Sequence, residues 1–156
     1  MPVSQLFGIF LATTRRAGWA PAAVLLLHLG LVYGFDAYER FSPLDIPMHF
    51  LGGAAMAYLA EHLYREGQRG GALTVGAGFF RALLLVSFAA LAAVLWELAE
   101  LASDRYLGTR YQVSLADTMR DLFMGLLGAV TYLLLRPRGP AASPDHGARK
   151  GASSRG

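Results

Sequence analysis

The chain has 156 residues, 54% of them hydrophobic and 16% charged, with a net charge of +3 and no cysteine. Soluble domains carry about 25% charged residues, so the composition points to a membrane protein of one domain with a handful of spans. The absence of cysteine excludes a disulfide framework and a thiolate metal site. The basic residues gather at the termini and in one loop, a pattern of membrane orientation rather than nucleic-acid binding.

Residues 1–16 contain a short apolar run, Leu6 to Ala12, too short to span, and Arg15-Arg16 closes it. This reads as an interfacial lead-in. A first span is predicted over 17–34, with a single intramembrane histidine, His28. It lacks a small-x-small cleavage site and further apolar spans follow, so it reads as retained rather than as a signal peptide. The next loop is aromatic, and Tyr33, Phe35, Tyr38 and Phe41 read as an interfacial belt.

A second span is predicted over 46–64, with Asp45 at the N-cap position and Pro47 in the first turn. Asp45, His49, Gly53 and Ala57 form one stripe at four-residue spacing. Glu61 and His62 lie at the far end and read as solvated. Arg65 to Gly78 is a Gly-rich loop whose glycines are too irregular to cradle phosphate.

The third span is predicted over 79–101, with Ala89, Ala93, Glu97 and Glu100 along one face and Trp96 beside them at interfacial depth. A short loop carries Asp104, Arg105, Gly108, Arg110 and Gln112. The fourth span is predicted over 115–135. There Asp117 and Asp121 share a face that Gly125 and Ala129 continue, so another helix can approach closely. Residues 136–156 are Pro/Gly/Ser/Ala-rich and basic and read as a disordered tail.

The expected fold is thus all-α, a polytopic transmembrane four-helix bundle. Ten of the fourteen Lys and Arg residues fall on the side of the two termini, which the positive-inside rule makes cytoplasmic. Up-down connectivity then brings Asp45, His49, Glu97, Glu100, Asp117 and Asp121 to one outward-facing level. Five carboxylates crowded in a poorly solvated site cannot all stay ionised. A divalent metal ion (Mg, Mn or Zn) would relieve them, with these six residues as candidate ligands and Asp121 and Glu97 as candidate catalytic groups. Held protons would relieve them as well, in a proton relay. So would structural pairing with arginine, although the sequence spacing points Arg120 away from the aspartate stripe. Asp45 and Asp117 also suit plain helix N-capping.

The segments DIPMHFLGG (45–53), WELAE (96–100), and Gln112 followed by DTMRDLFMGLLGA (117–129) resemble the YjdF (DUF2238) membrane proteins and, in pattern, the wider VanZ-like group. The resemblance covers roughly residues 18 to 135. It implies a multi-helical inner-membrane protein of the cell envelope with an outward-facing polar cluster, matched here at Asp45, His49, Glu97, Glu100, Asp117 and Asp121. Members often have more than four spans.

Three function classes follow. One is a metal-dependent enzyme acting on a membrane lipid or lipid-linked phosphate substrate of the envelope, its anionic headgroup held by Arg105, Arg110 and Arg120. The second is a small proton-coupled carrier, and the third a non-catalytic accessory subunit whose acids dock a partner.

Overall fold

A computed structural model describes residues 1–35, 42–74, 76 and 78–136. Tyr38, Arg40, Phe41 and the tail from Pro137 onward lie outside the described residues. The fold is all-helical among them. Helix α1 is Val3–Ala17, α2 Trp19–Leu29, α3 Asp45–Arg69, α4 Phe79–Leu107 and α5 Leu115–Leu135. A π-helical turn, Gly30–Gly34, ends α2, and a 3₁₀ turn, Ser42–Leu44, leads into α3.

Local chemistry sets these bounds. At the end of α1, Thr13 and Thr14 donate their hydroxyls back to the carbonyls of Ile9 and Phe10, and Gly18 follows. The chain turns there by 58° into α2. Helix α3 tolerates Pro47 because its missing N–H falls in the first turn. Helix α4 ends on Gly108, whose φ of 72° is the left-handed conformation that closes a helix. In α5 the cap is Ser114, whose hydroxyl accepts from the Asp117 N–H at 3.2 Å. Two helices outrun their expected spans. Helix α3 continues beyond Tyr64 through Arg69, and α4 continues beyond Leu101 to Leu107, taking residues the sequence reading assigned to loops.

Helices α4 and α5 are each long and apolar enough to cross a membrane, and α1 with α2 qualifies only as a pair across its bend. The fold therefore offers two or three candidate spans on these criteria. Helix α3 falls below that apolarity because it is the central helix and its polar groups point at neighbours rather than at lipid. Its buried residues include Met48, Gly53, Ala57, Glu61 and Tyr64. Exposed leucines and phenylalanines instead cover α2, α4 and α5, among them Leu26, Leu91, Leu95 and Phe123.

The closest helix contact is between α3 and α5. A Cβ built on Gly53 would lie 1.8 Å from the Gly125 carbonyl oxygen, and one on Gly128 would lie 1.9 Å from the Phe50 oxygen. The two backbones touch, as small residues on facing stripes allow. Ala57, Ala89 and Ala129 continue the seam as a fully packed cluster of α3, α4 and α5.

Glu61 overturns its expected solvation. It is 1% exposed and lies at the end of the fold remote from Asp45. Its carboxylate accepts from Arg65 at 2.7 Å, Tyr132 at 2.8 Å, Arg136 at 3.0 Å, and also from Arg81. Arg81 stacks on Tyr64, 5.1 Å from the ring centroid. His62 is half-buried, its ring against that of Tyr58 and its Nδ1 3.0 Å from the Tyr58 carbonyl. Nearby, α1 is fastened to the end of α3. Gln5 donates to the Gly70 carbonyl and Arg16 pairs with Glu66, which also holds Arg69 at 2.6 Å.

The adjacent glycines of α3 give a test. Gly53→Ala forces a methyl into the α5 backbone and should cost about 1–3 kcal/mol or more, as core overpacking does. Gly52→Ala meets nothing within 4 Å and should leave the melting temperature in detergent the same or slightly raised, since alanine is the better helix former. Equal melting temperatures for the two variants would contradict the backbone contact.

Candidate functional site

The α3–α5 approach decides which acids meet. Asp45 and His49 are one turn apart on α3, with His49 Nε2 3.3 Å from Asp45 Oδ1. Leu44 occupies the N-cap position of α3, so capping does not account for the Asp45 carboxylate. Gly53, one turn further along, is the residue in contact with α5, and this places Asp121 opposite His49. Asp45, His49 and Asp121 each offer a ligand atom within 4.8 Å of the other two. Ligands of one divalent ion at about 2.0–2.6 Å lie at most about 5 Å apart, so the three fit one ion without rebuilding the backbone.

Helix α4 supplies the fourth group. Glu97 Oε1 lies 3.8 Å from His49 Nδ1. The Glu97 side chain is 7% exposed, and this oxygen is buried without a hydrogen-bond partner among the described residues. Such an orphaned carboxylate oxygen is costly, and native structures keep few of them. Its other oxygen and its backbone carbonyl both accept from the Gln112 side-chain amide, at 3.3 and 2.9 Å.

The other predicted residues are placed differently. Glu100 turns to Trp96, accepting its indole N–H at 2.7 Å, and lies outside the three-residue group. Asp117 pairs with Arg120, and Ser114 rather than Asp117 caps α5. Arg120 corrects the expectation that it points away, because its long side chain folds back over both aspartates and reaches Asp121 Oδ1 at 3.3 Å. Arg105 and Arg110 are exposed and make no ion pair among the described residues. His28 meets Trp96 edge to face, with ring centroids 5.2 Å apart, so α2 also reaches this level.

Asp104 and Gln112, expected only as loop residues, organise this segment. Asp104 accepts from the Thr109 hydroxyl at 2.6 Å and from the backbone N–H groups of Tyr111 and Gln112 at 2.8 and 2.9 Å. This folds the segment after Gly108 back along α4 and delivers Gln112 to Glu97. Apart from Gln112's place in the family motif, one signal was available. Asp is the residue whose short carboxylate most readily gathers nearby N–H groups in a turn.

The charge balance differs sharply between the two ends. Glu61 faces three guanidinium groups, whereas at the other end, among the described residues, Arg120 pairs with Asp117 and Asp121, and Asp45 and Glu97 face only the His49 ring. Among the described residues the Asp/His end therefore carries fewer cations than acids, a balance that a bound cation or protons would correct.

Replacing Asp104 with Ala should speed amide exchange at Tyr111 and Gln112 by about tenfold or more, since bonds to a charged acceptor are worth about 1.5–3 kcal/mol. Arg105→Ala should leave both amides unchanged. Unaltered exchange in Asp104→Ala would remove Asp104 as the organiser of the loop.

No curated protein and no solved structure matches the chain. The profile of a family described as predicted membrane protein (DUF2238) matches residues 9–138, which include every group of the cluster. That stretch is most of the sequence and carries the three motifs together, and the chain therefore belongs to the DUF2238 family of predicted membrane proteins.

Proposed function

We propose that the chain is an integral membrane enzyme that uses a divalent cation, held by Asp45, His49 and Asp121, to act on the phosphate of a lipid or lipid-linked envelope substrate. The observation that carries this reading is the convergence of these three ligand atoms within 4.8 Å, Asp121 buried and Asp45 and His49 partly so, beside a buried Glu97 oxygen with no hydrogen-bond partner among the described residues. Glu97 faces Nδ1 of His49. From that position a carboxylate fixes the tautomer of a metal-bound histidine while Nε2 faces the aspartates. Arg120, about two-fifths exposed, stands where an anionic headgroup would arrive and would share its charge between that group and Asp121. The cation would neutralise the carboxylates and polarise a phosphoryl oxygen.

The same reading takes the fold as four crossings of a bacterial inner membrane, α3 included, with both termini cytoplasmic and the cluster outward. The concentration of Arg16, Arg65, Arg69, Arg81 and Arg136 at the Glu61 end supports this orientation. The likeness of the motifs to the VanZ-like group supports a role in the cell envelope.

Elemental analysis of detergent-purified protein tests it. Wild type should retain near-stoichiometric Mg, Mn or Zn, and His49→Ala and Asp121→Ala should lose it. Metal at about a hundred times its Kd should stabilise wild type by about 2.7 kcal/mol, read as a raised Tm, and leave His49→Ala unmoved. Affinity should fall as pH is lowered, because ligation needs deprotonated carboxylates and a neutral imidazole. An absence of metal in wild type after incubation with all three ions would overturn the proposal, leaving the cluster to a proton relay or a docking surface.

A further inference from the structure

A cavity of about 430 Å³ lies between α2, α3 and α4 and ends against His49. Its volume is within the range of small-molecule sites, about 300–1,000 Å³. It runs along the helices, from Pro21, Met56 and Ala89 at one end to His28, His49 and Trp96 at the other. The seven helical steps from His49 to Met56 give it a length of about 10 Å at 1.5 Å per residue. Its walls are apolar except for the two imidazoles and the Trp96 indole N–H, and the indole N–H is already donated to Glu100. Small residues create it. Gly52 points at open space, and Ala92 and Ala93 stand opposite. Helix α2 packs on α3 and meets α4 through His28 and Trp96.

Apolar walls over most of its length favour a hydrocarbon occupant over water there. The outer faces of α2 and α4 carry exposed Leu26, Leu91 and Leu95, so hydrocarbon is the medium beside the seam. We propose that the cavity takes one hydrocarbon chain of a lipid, and that it is the tail-binding part of the site whose headgroup end is the Asp45–His49–Asp121 cluster. Gly52 then sets which chains enter, because any side chain there would project into the space the tail fills. The identity of the tail as a substrate tail rests on the reading of the cluster given above, and binding of the tail does not.

Trp96 reports directly. Trp19→Phe leaves it as the single tryptophan. Titrating this protein in detergent with a lysophosphatidic acid whose chain carries two bromines should quench Trp96 fluorescence saturably. Adding Gly52→Phe should weaken apparent binding about tenfold, equivalent to about 1.4 kcal/mol, with its thermal unfolding unchanged. Leu51→Phe, on the exposed neighbouring position, should bind as the parent does. If Gly52→Phe unfolds, Gly52→Ala, which meets nothing within 4 Å, replaces it with a smaller loss of the same sign. Unsaturable quenching, or equal affinity in the parent and Gly52 variants, would overturn the pocket and leave the metal result standing. Saturable quenching in a protein that binds no metal would overturn the tail's assignment to a substrate while confirming that a chain binds.

Discussion

The contact on which the site depends is the backbone-to-backbone approach of α3 and α5. Gly53 against Gly125 and Gly128 against Phe50 leave no room for a β-carbon on either glycine. Interhelical distance is set by side-chain size, and here it is at its minimum. Asp121, one turn before Gly125, is thereby carried to His49, one turn before Gly53. With larger residues at the seam, the carboxylate and imidazole would be separated by several ångströms and would form two isolated polar groups. The metal-sized geometry of the cluster is therefore a consequence of packing a full turn away from it.

The two ends of the fold handle buried charge in opposite ways. At one end Glu61 is enclosed by Arg65, Arg81, Arg136 and the Tyr132 hydroxyl, so every lone pair has a donor and the network ties α3, α4 and the end of α5 together. The Glu61 carboxylate is thus fully satisfied, while the buried Arg81 Nε has no hydrogen-bond partner among the described residues. At the other end Arg120 pairs with Asp117 and Asp121, no arginine pairs with Asp45, Glu97 or Glu100 among the described residues, and a Glu97 oxygen has no hydrogen-bond partner among them. A protein that compensates a buried acid so fully at one end has the means to do so at the other. The shortfall of cations there among the described residues is what distinguishes the candidate site from the Glu61 lock.

Much of this was legible in the sequence, for a geometric reason. Residues four apart share a helix face whatever the rest of the chain does, so Asp45 with His49, and Asp121 with Gly125, could be paired with small-residue stripes before any tertiary contact was known. Glu61 was legible only in its i,i+4 partner Arg65, because its other partners come from positions 20, 71 and 75 residues away and no local pattern links them. Arg120 was misjudged because helical spacing fixes where a Cβ points and not where a long, flexible side chain ends. Gln112 was missed because its position depends on a loop that Asp104 folds, and the ends of α3 and α4 ran past their apolar segments because helices continue into polar sequence where capping allows.

Gly52 and Gly53 show how one dipeptide can serve both halves of the site. Successive residues on a helix point about 100° apart, so two adjacent glycines clear two different faces. Gly53 removes a side chain where α5 must come close, and Gly52 removes one where α2 and α4 leave the cavity. A single glycine would give either a tight cluster with a filled cavity or an open cavity beside separated ligands. Together they place an apolar channel and a carboxylate–imidazole group on either side of His49. An amphipathic molecule with an anionic head has the same sequence of chemistries along its length. That correspondence in shape and chemistry is what favours a lipid as the occupant we propose.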